Sequence, residues 1–243
     1  MVSKNRNVSE SALILYEPYS KALKVSSFLI GAGICQGFSF INLSNQDTAH
    51  NFQKQDFTAS FSLTLMLCAM VATIALQRFF PKTKHSYKAV ASTISRIVAF
   101  FVIFISFKIE NLELGFWVCI GAVGLLGSFT SIYHTVFVGL LKNYPRYCYS
   151  SYSTGSGFSG LTSIVLYMSG KFLGISIGKM AFLLIFPNIV ILGLFFWMLN
   201  VRSKIQQDIQ LLDMGKDPEA YQDADDDEEE HDTEYESGHE SRS

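Results

Sequence analysis

Long intervals without charged residues divide the first two hundred residues of the chain. A helix needs roughly 20 apolar residues to cross the hydrocarbon core of a membrane. Six intervals reach about that length: 25–46, 57–77, 89–107, 114–141, 147–170 and 180–201. Arg96 interrupts the third interval, and His134 lies in the fourth. The pattern predicts an all-α integral membrane protein with six transmembrane helices.

The charges of the loops predict how these spans are oriented. Lysine and arginine collect in segment 1–24, between spans two and three, between spans four and five, and after span six. Because basic loops favour the cytosolic side, we expect a cytosolic N-terminal segment (1–24), a six-span domain (25–201) and a cytosolic tail (202–243). Lys171 and Lys179 are exceptions, since this arrangement places them on the opposite side.

The C-terminal tail differs in composition from the rest of the chain. Most acidic residues fall in it, so the net charge of −2 is a cancellation between a basic, apolar front and an acidic end. This balance gives no indication of nucleic acid binding, and the acidic run from Asp223 is predicted to be disordered. Asp208, Leu211 and Leu212 fit an acidic dileucine signal, which would recruit trafficking adaptors. The alternative is an amphipathic extension of the sixth span.

Motifs of soluble enzymes and of cofactor sites give no support for catalysis. The sequence has no HExxH motif, no Walker loop and no carboxylate pair suited to hydrolysis. The glycine-rich stretch 155–160 follows no predicted strand, so a dinucleotide site is not expected. The four cysteines lie in spans or at their ends and form no CxxC pair, which argues against disulfides or zinc. We predict neither an enzyme nor a cofactor or metal site.

Small residues recur at helical spacing in the first and fifth spans. Gly33 and Gly37 form a GxxxG pair, and Gly155, Gly157 and Gly160 pair with serines at the same spacing. In a membrane such residues let helix backbones approach closely. The alternative is that these glycines, together with hydroxyl groups, line a solute path.

The start of the fifth span is rich in hydroxyl groups. Consecutive residues cover every face of a helix, and an unpaired polar group in hydrocarbon costs several kcal/mol. Some of these hydroxyls must therefore meet water, another helix or a cavity, unless they bond back to their own helix carbonyls. The candidates for a polar pathway are Ser151, Tyr152, Ser153 and Thr154.

Polar residues inside other spans extend this set. His134 could carry a proton in coupled transport, and the alternative is a structural histidine hydrogen-bonded within the bundle. Asn42 in the first span joins the candidate pathway. Arg96 is expected to snorkel to the cytosolic headgroups. Pro187 predicts a kink in the sixth span.

Two sequence segments resemble a known family. Tyr144-Pro145-Arg146 is followed by eight residues and then by Gly155-Ser156-Gly157-Phe158-Ser159-Gly160-Leu161. This arrangement resembles the battenin family of lysosomal membrane proteins, which has YPR, eight residues and GTGGAGL. In the first span, Gly33-Ile34-Cys35-Gln36-Gly37-Phe38-Ser39-Phe40-Ile41 is similar to the family's GLCNNFSYV, so that Gly33, Cys35, Phe38 and Ser39 match. A weaker similarity covers 88–100.

The resemblance implies six helices arranged like the first half of a major facilitator fold. Battenin has about twice as many spans, which for this chain implies a homodimer. The resemblance also implies a lysosomal, endosomal or vacuolar membrane and a transporter-type role in pH or small-metabolite homeostasis. His134 stands where the family carries a glutamate. The alternatives are a non-transporting adaptor in membrane trafficking, or half of a divergent equilibrative nucleoside transporter, whose fifth span begins similarly.

Overall fold

The chain folds into long helices, as its hydrophobic pattern predicts. The computed structural model describes residues 15–79 and 84–214, and the side chains of this part up to residue 209. The helices are α1 Ser20–Asn51, α2 Thr58–Phe79, α3 His85–Ser106, α4 Leu112–Leu141, α5 Arg146–Phe172, α6 Ile177–Leu183 and α7 Ile185–Met214. No strand occurs in the described ranges. The prediction of an all-α protein is confirmed.

Five helical stretches of the described chain are long and apolar enough to cross a membrane. These are Glu17–Asn51, Gln55–Phe79, His85–Ser106, Leu112–Leu141 and Ile177–Ile209. They correspond to predicted spans one, two, three, four and six. The fifth predicted span corresponds to α5, whose 27 residues would extend about 40 Å at 1.5 Å per residue. Because its start is rich in hydroxyl groups, α5 is not among the helices that are apolar enough to cross a membrane. The assignment of α5 as a span therefore rests on its length.

Local chemistry accounts for several helix ends. The side chain of Asn111 caps α4, because its Oδ1 accepts the backbone N–H groups of Glu113 and Leu114, each at 3.1 Å. Pro145 comes directly before α5 in an extended conformation. After α5, Gly174 takes a positive φ of 67°, which costs glycine little and stops the helix.

The predicted kink of the sixth span separates α6 from α7 at Leu184. Pro187 has no N–H group, and its ring clashes with the carbonyl four residues earlier. The helix therefore breaks about one turn before the proline. Beside the break, Asn188 Nδ2 donates to the Leu184 carbonyl at 2.7 Å.

Residues 16–199 form one compact unit, and 200–214 belong to a second. In the first unit α1 packs along α5, α4 packs against both α2 and α3, and α6 packs against α3. The core centres on Phe116, whose ring lies 5.7 Å from that of Phe61 and 6.2 Å from that of Phe52.

The outer surface of α2 is apolar. This helix buries only Phe61 and Leu65, whereas Met70, Val71 and Ile74 are each more than 60% exposed. A surface of this kind is suited to lipid, which agrees with an integral membrane protein.

Candidate functional site

The backbones of α1 and α5 touch at two glycines. A Cβ atom at Gly155 would lie 2.1 Å from the carbonyl oxygen of Phe28, and one at Gly31 would lie 2.2 Å from that of Tyr152. These contacts support the close approach predicted for Gly155. Gly31 was not predicted, although it precedes Gly33 by two residues in a glycine-rich helix.

The other glycines of the two motifs have different neighbours. A Cβ at Gly33 would meet Ile191 of α7, and one at Gly37 would meet Phe100 of α3, each at 2.5 Å. At Gly157 and Gly160 no described atom apart from the adjoining stretch of α5 comes within 4 Å of the added Cβ. A turn of 100° per residue rotates these two positions away from Gly155, so they take no part in the contact between α1 and α5.

Polar side chains join α1 to α5 along the same seam. Cys35 Sγ lies 3.0 Å from Ser156 Oγ, and Ser39 Oγ lies 3.5 Å from Ser159 Oγ. The hydroxyl of Ser163 donates to the Gln36 carbonyl at 2.9 Å. The two segments that carry the family resemblance thus lie against each other.

The hydroxyl-bearing residues at the start of α5 lie on different faces of the helix, so their exposure and partners differ. Thr154 bonds back to the Ser150 carbonyl at 3.0 Å and is exposed, as is Ser153. Ser151 is half-buried, and Tyr152 is buried. Of the four pathway residues predicted in α5, only Tyr152 makes a hydrogen bond to another helix among those found in the structure.

That bond joins Tyr152 to His134, with Oη and Nδ1 2.6 Å apart. The imidazole is exposed on the surface of α4. It borders a cavity of about 280 Å³ whose wall includes Cys35, Phe38 and Thr130. The structure therefore brings together residues that the sequence predicted separately, namely two from the α1 motif and the histidine of the fourth span.

Polar contacts continue from this cavity to α2. Thr73 Oγ1 lies 2.5 Å from Ser131 Oγ, which also borders the cavity. Ser62 of α2 bonds to two residues further along α1. Its hydroxyl donates to Asn42 Oδ1 at 2.7 Å, and Asn45 Nδ2 donates to Ser62 Oγ at 3.2 Å. Side-chain hydrogen bonds thus link α1 to α2, α2 to α4, α4 to α5, and α5 back to α1. We call these four helices the polar ring.

Arg96 of α3 does not snorkel, and the prediction that it does is wrong. Its side chain is fully buried, and Nη2 donates to the carbonyls of Gly33 and Ile34 at 3.2 and 2.8 Å. The guanidinium carbon lies 6.0 Å from the centre of the Tyr133 ring. Arg96 lies on the buried face of α3, because buried residues recur every three or four positions on both sides of it. These residues are Ala89, Ser92, Thr93, Ala99, Phe100 and Ile103.

The Tyr-Pro-Arg motif forms the connection between α4 and α5. Tyr144 is buried, and its hydroxyl donates to the Met198 carbonyl of α7 at 2.8 Å. Pro145 directly precedes α5, and Arg146 is exposed in the first turn of this helix. The tyrosine therefore anchors the turn, which the sequence alone did not indicate.

An ion pair joins α1 to α5 near the C-terminal ends of both helices. Lys171 Nζ lies 2.7 Å from Asp47 Oδ2, and the hydroxyl of Tyr167 donates to the same carboxylate. One of the two lysines that broke the loop-charge pattern is thus neutralised by a neighbouring acid.

We expect Lys171→Met and Asp47→Asn each to lower the melting temperature modestly, because both partners are partly exposed, at 52% and 30%. The double variant should lose little more than either single variant, and high salt should shrink the effect. Thermal unfolding in detergent measures this, with Lys179→Met as the control on the same side. Fully additive losses would exclude the pairing.

Parts of the sequence-based predictions fall outside the described residues. Asp208 lies in α7, which continues to Met214, but the side chains of Leu211 and Leu212 are not among those described. The acidic tail beyond residue 214 also lies outside. Within the described residues the four cysteines are free, and no group of three or more metal-ligating side chains occurs.

Comparison with known proteins agrees with the resemblance. The model of the family described as CLN3 protein, the battenin family, matches residues 27–243. This is most of the chain, and it favours battenin over the nucleoside transporters. Comparison with curated proteins gives no match.

Proposed function

The chain belongs to the CLN3 protein family, and on that premise we propose that it is a transporter-type protein of the lysosomal or vacuolar membrane. Its role would lie in lysosomal pH or small-metabolite homeostasis. The observation that carries the proposal is the cavity bordered by His134, Cys35 and Thr130 within the polar ring.

The cost of polar groups in lipid supports this reading. An ionisable side chain at membrane depth is expensive unless it faces a bundle interior or a water-filled cavity. His134 is exposed on the described chain, beside the hydroxyl of Ser131 and the cavity. Facing a solute path would give these groups the polar surroundings that hydrocarbon cannot supply.

A second copy of the chain would supply the other wall of that path. In transporters built from repeats, solute sites lie at the interface between the repeats, and the four polar-ring helices present one such wall. A two-fold arrangement would place two equal walls against each other. Under this proposal six crossings leave both termini cytosolic.

We expect the protein purified in a mild detergent to be a dimer. Light scattering coupled to size exclusion measures the protein mass independently of the bound detergent. A strictly monomeric species at all protein concentrations would contradict the dimer.

The transport role is tested by untargeted comparison of metabolites in isolated lysosomes with and without the protein. A small polar metabolite that accumulates without the protein, and is restored by re-expression, supports transport. Unchanged metabolite levels together with an unchanged lumenal pH would exclude it.

The acidic tail favours a second candidate, a non-transporting membrane adaptor that recruits trafficking partners. Its basis is the acidic run from Asp223 and the signal at Asp208, Leu211 and Leu212. Deleting residues 203–243 separates the two functions. Lost localisation with intact flux favours a transporter with a sorting tail, whereas no flux from either form favours the adaptor.

A further inference from the structure

Arg96 carries a positive charge in the interior of the bundle that no described residue balances. Its side chain is fully buried, and Nε and Nη1 have no hydrogen-bond partner in the described structure. The ionisable side chains close enough to interact with it electrostatically are Tyr133, Cys35 and Tyr152. Phenols and thiols are neutral near pH 7, so they do not compensate the charge.

The acids of the described chain lie elsewhere. The six acids whose side chains are described lie in turns or toward helix ends: Glu17, Asp47, Asp56, Glu110, Glu113 and Asp208. Asp47 is already paired with Lys171. A buried charge without a counter-ion costs several kcal/mol, and arginine keeps its proton even when buried. The guanidinium therefore needs an anion that the described bundle does not provide.

The cavity beside His134 gives such an anion a place to enter. Arg96 does not line the cavity itself, but its Nη2 donates to the carbonyl of Ile34, the residue before Cys35 of the cavity wall. The hydroxyl of Thr130, in the same wall, is buried and has no hydrogen-bond partner in the described structure. One donor that lacks an acceptor thus borders the cavity, and a second belongs to a side chain bonded to the helix that forms part of its wall.

We infer that Arg96 is the cation of an oxyanion subsite that opens from this cavity. Its ligand is a small solute with a carboxylate or phosphate group, whose oxygens accept from Nε or Nη1 of Arg96 and from Thr130. The guanidinium is suited to such oxygens because it stays charged and presents several N–H donors. The inference names the solute class for the proposed transport path and depends on the proposed function in that respect. Binding itself can be measured without flux.

The test uses the full chain purified in a non-ionic detergent and labelled with a neutral maleimide. Cys35 borders the cavity, whereas Cys68 contacts Gly124 at the α2–α4 packing, so Cys68 is an internal control. Sodium acetate and sodium phosphate are each titrated against sodium chloride at equal ionic strength. We expect saturable slowing of Cys35 labelling, about tenfold at ten times the dissociation constant, with no change at Cys68. The more effective anion identifies a carboxylate or a phosphate solute.

Arg96→Met should abolish this protection, whereas Arg78→Met, at the end of α2, should keep it. If Arg96→Met does not fold, the comparison of Cys35 with Cys68 in the unmodified chain decides alone. Absence of protection, or equal slowing at both cysteines, overturns the inference. Protection with metabolite levels and lumenal pH both unchanged in lysosomes would leave the subsite standing and remove the proposed transport role.

Discussion

Replacing Gly155 with alanine should destabilise the protein by about 2–3 kcal/mol or more, as expected for overpacking in a tight core. The added Cβ would lie 2.1 Å from the carbonyl oxygen of Phe28. Because that oxygen belongs to a helix backbone, it cannot rotate away, and α1 and α5 must separate. Separation would also stretch the bond between Cys35 and Ser156. Thermal unfolding of the purified protein in detergent measures the loss.

Gly157→Ala is the matched control, two residues further along the same helix. No described atom apart from the adjoining stretch of α5 lies within 4 Å of its Cβ position, and alanine is the better helix former. The stability of this variant should equal or slightly exceed that of the unmodified protein. Gly31→Ala should behave like Gly155→Ala, since it meets the Tyr152 carbonyl at 2.2 Å. Equal melting temperatures for Gly155→Ala and Gly157→Ala would show that the helices do not touch at Gly155.

Hydrophobic intervals were sufficient to predict the helices of this chain, because a membrane span has to be long, apolar and internally hydrogen-bonded. Five predicted intervals each correspond to one observed helix, with ends that differ by a few residues, and the sixth covers parts of α6 and α7, which continues to Met214. The kink near Pro187 also followed from local chemistry, since proline disrupts a helix wherever it lies. The polar start of α5 could be located, but its apolar content alone did not define a span.

The direction in which each side chain points could not be predicted in the same way. Gly155 and Gly157 are equivalent as sequence, yet only the first touches another helix, because rotation about the axis depends on the partner helix. Arg96 could be read as snorkelling from its depth in the span. The small residues around it, such as Ala89, Thr93 and Ala99, were the signal that it lies on the packed face.

The bond between His134 and Tyr152 could not be predicted from spacing either. The two residues lie eighteen positions apart on consecutive helices, and their contact depends on how the turn at Tyr144 folds back. That turn is held by the Met198 carbonyl of α7, a partner more than fifty residues away. Long-range contacts of this kind need the complete bundle.

His134→Ala should reduce solute export about tenfold or more if the imidazole lies on the proposed path. Tyr152→Phe should cause a smaller loss, because it removes one hydrogen bond to the ring and keeps the aromatic packing. A hydrogen bond between neutral groups contributes about 1 kcal/mol, which is less than the 1.4 kcal/mol that corresponds to about a tenfold change. Tyr149→Phe is the control, since Tyr149 lies one turn earlier on α5 and is 53% exposed.

The measurement is metabolite accumulation in lysosomes from cells that lack the protein and express each variant, with size exclusion of the tagged protein to confirm folding. The double variant distinguishes a positioning role of Tyr152 from a separate structural role. If the tyrosine acts by fixing the tautomer and orientation of His134, His134→Ala combined with Tyr152→Phe should export no less than His134→Ala alone. Additive losses would mean that Tyr152 acts independently of the histidine, and full export by His134→Ala would remove the imidazole from the path.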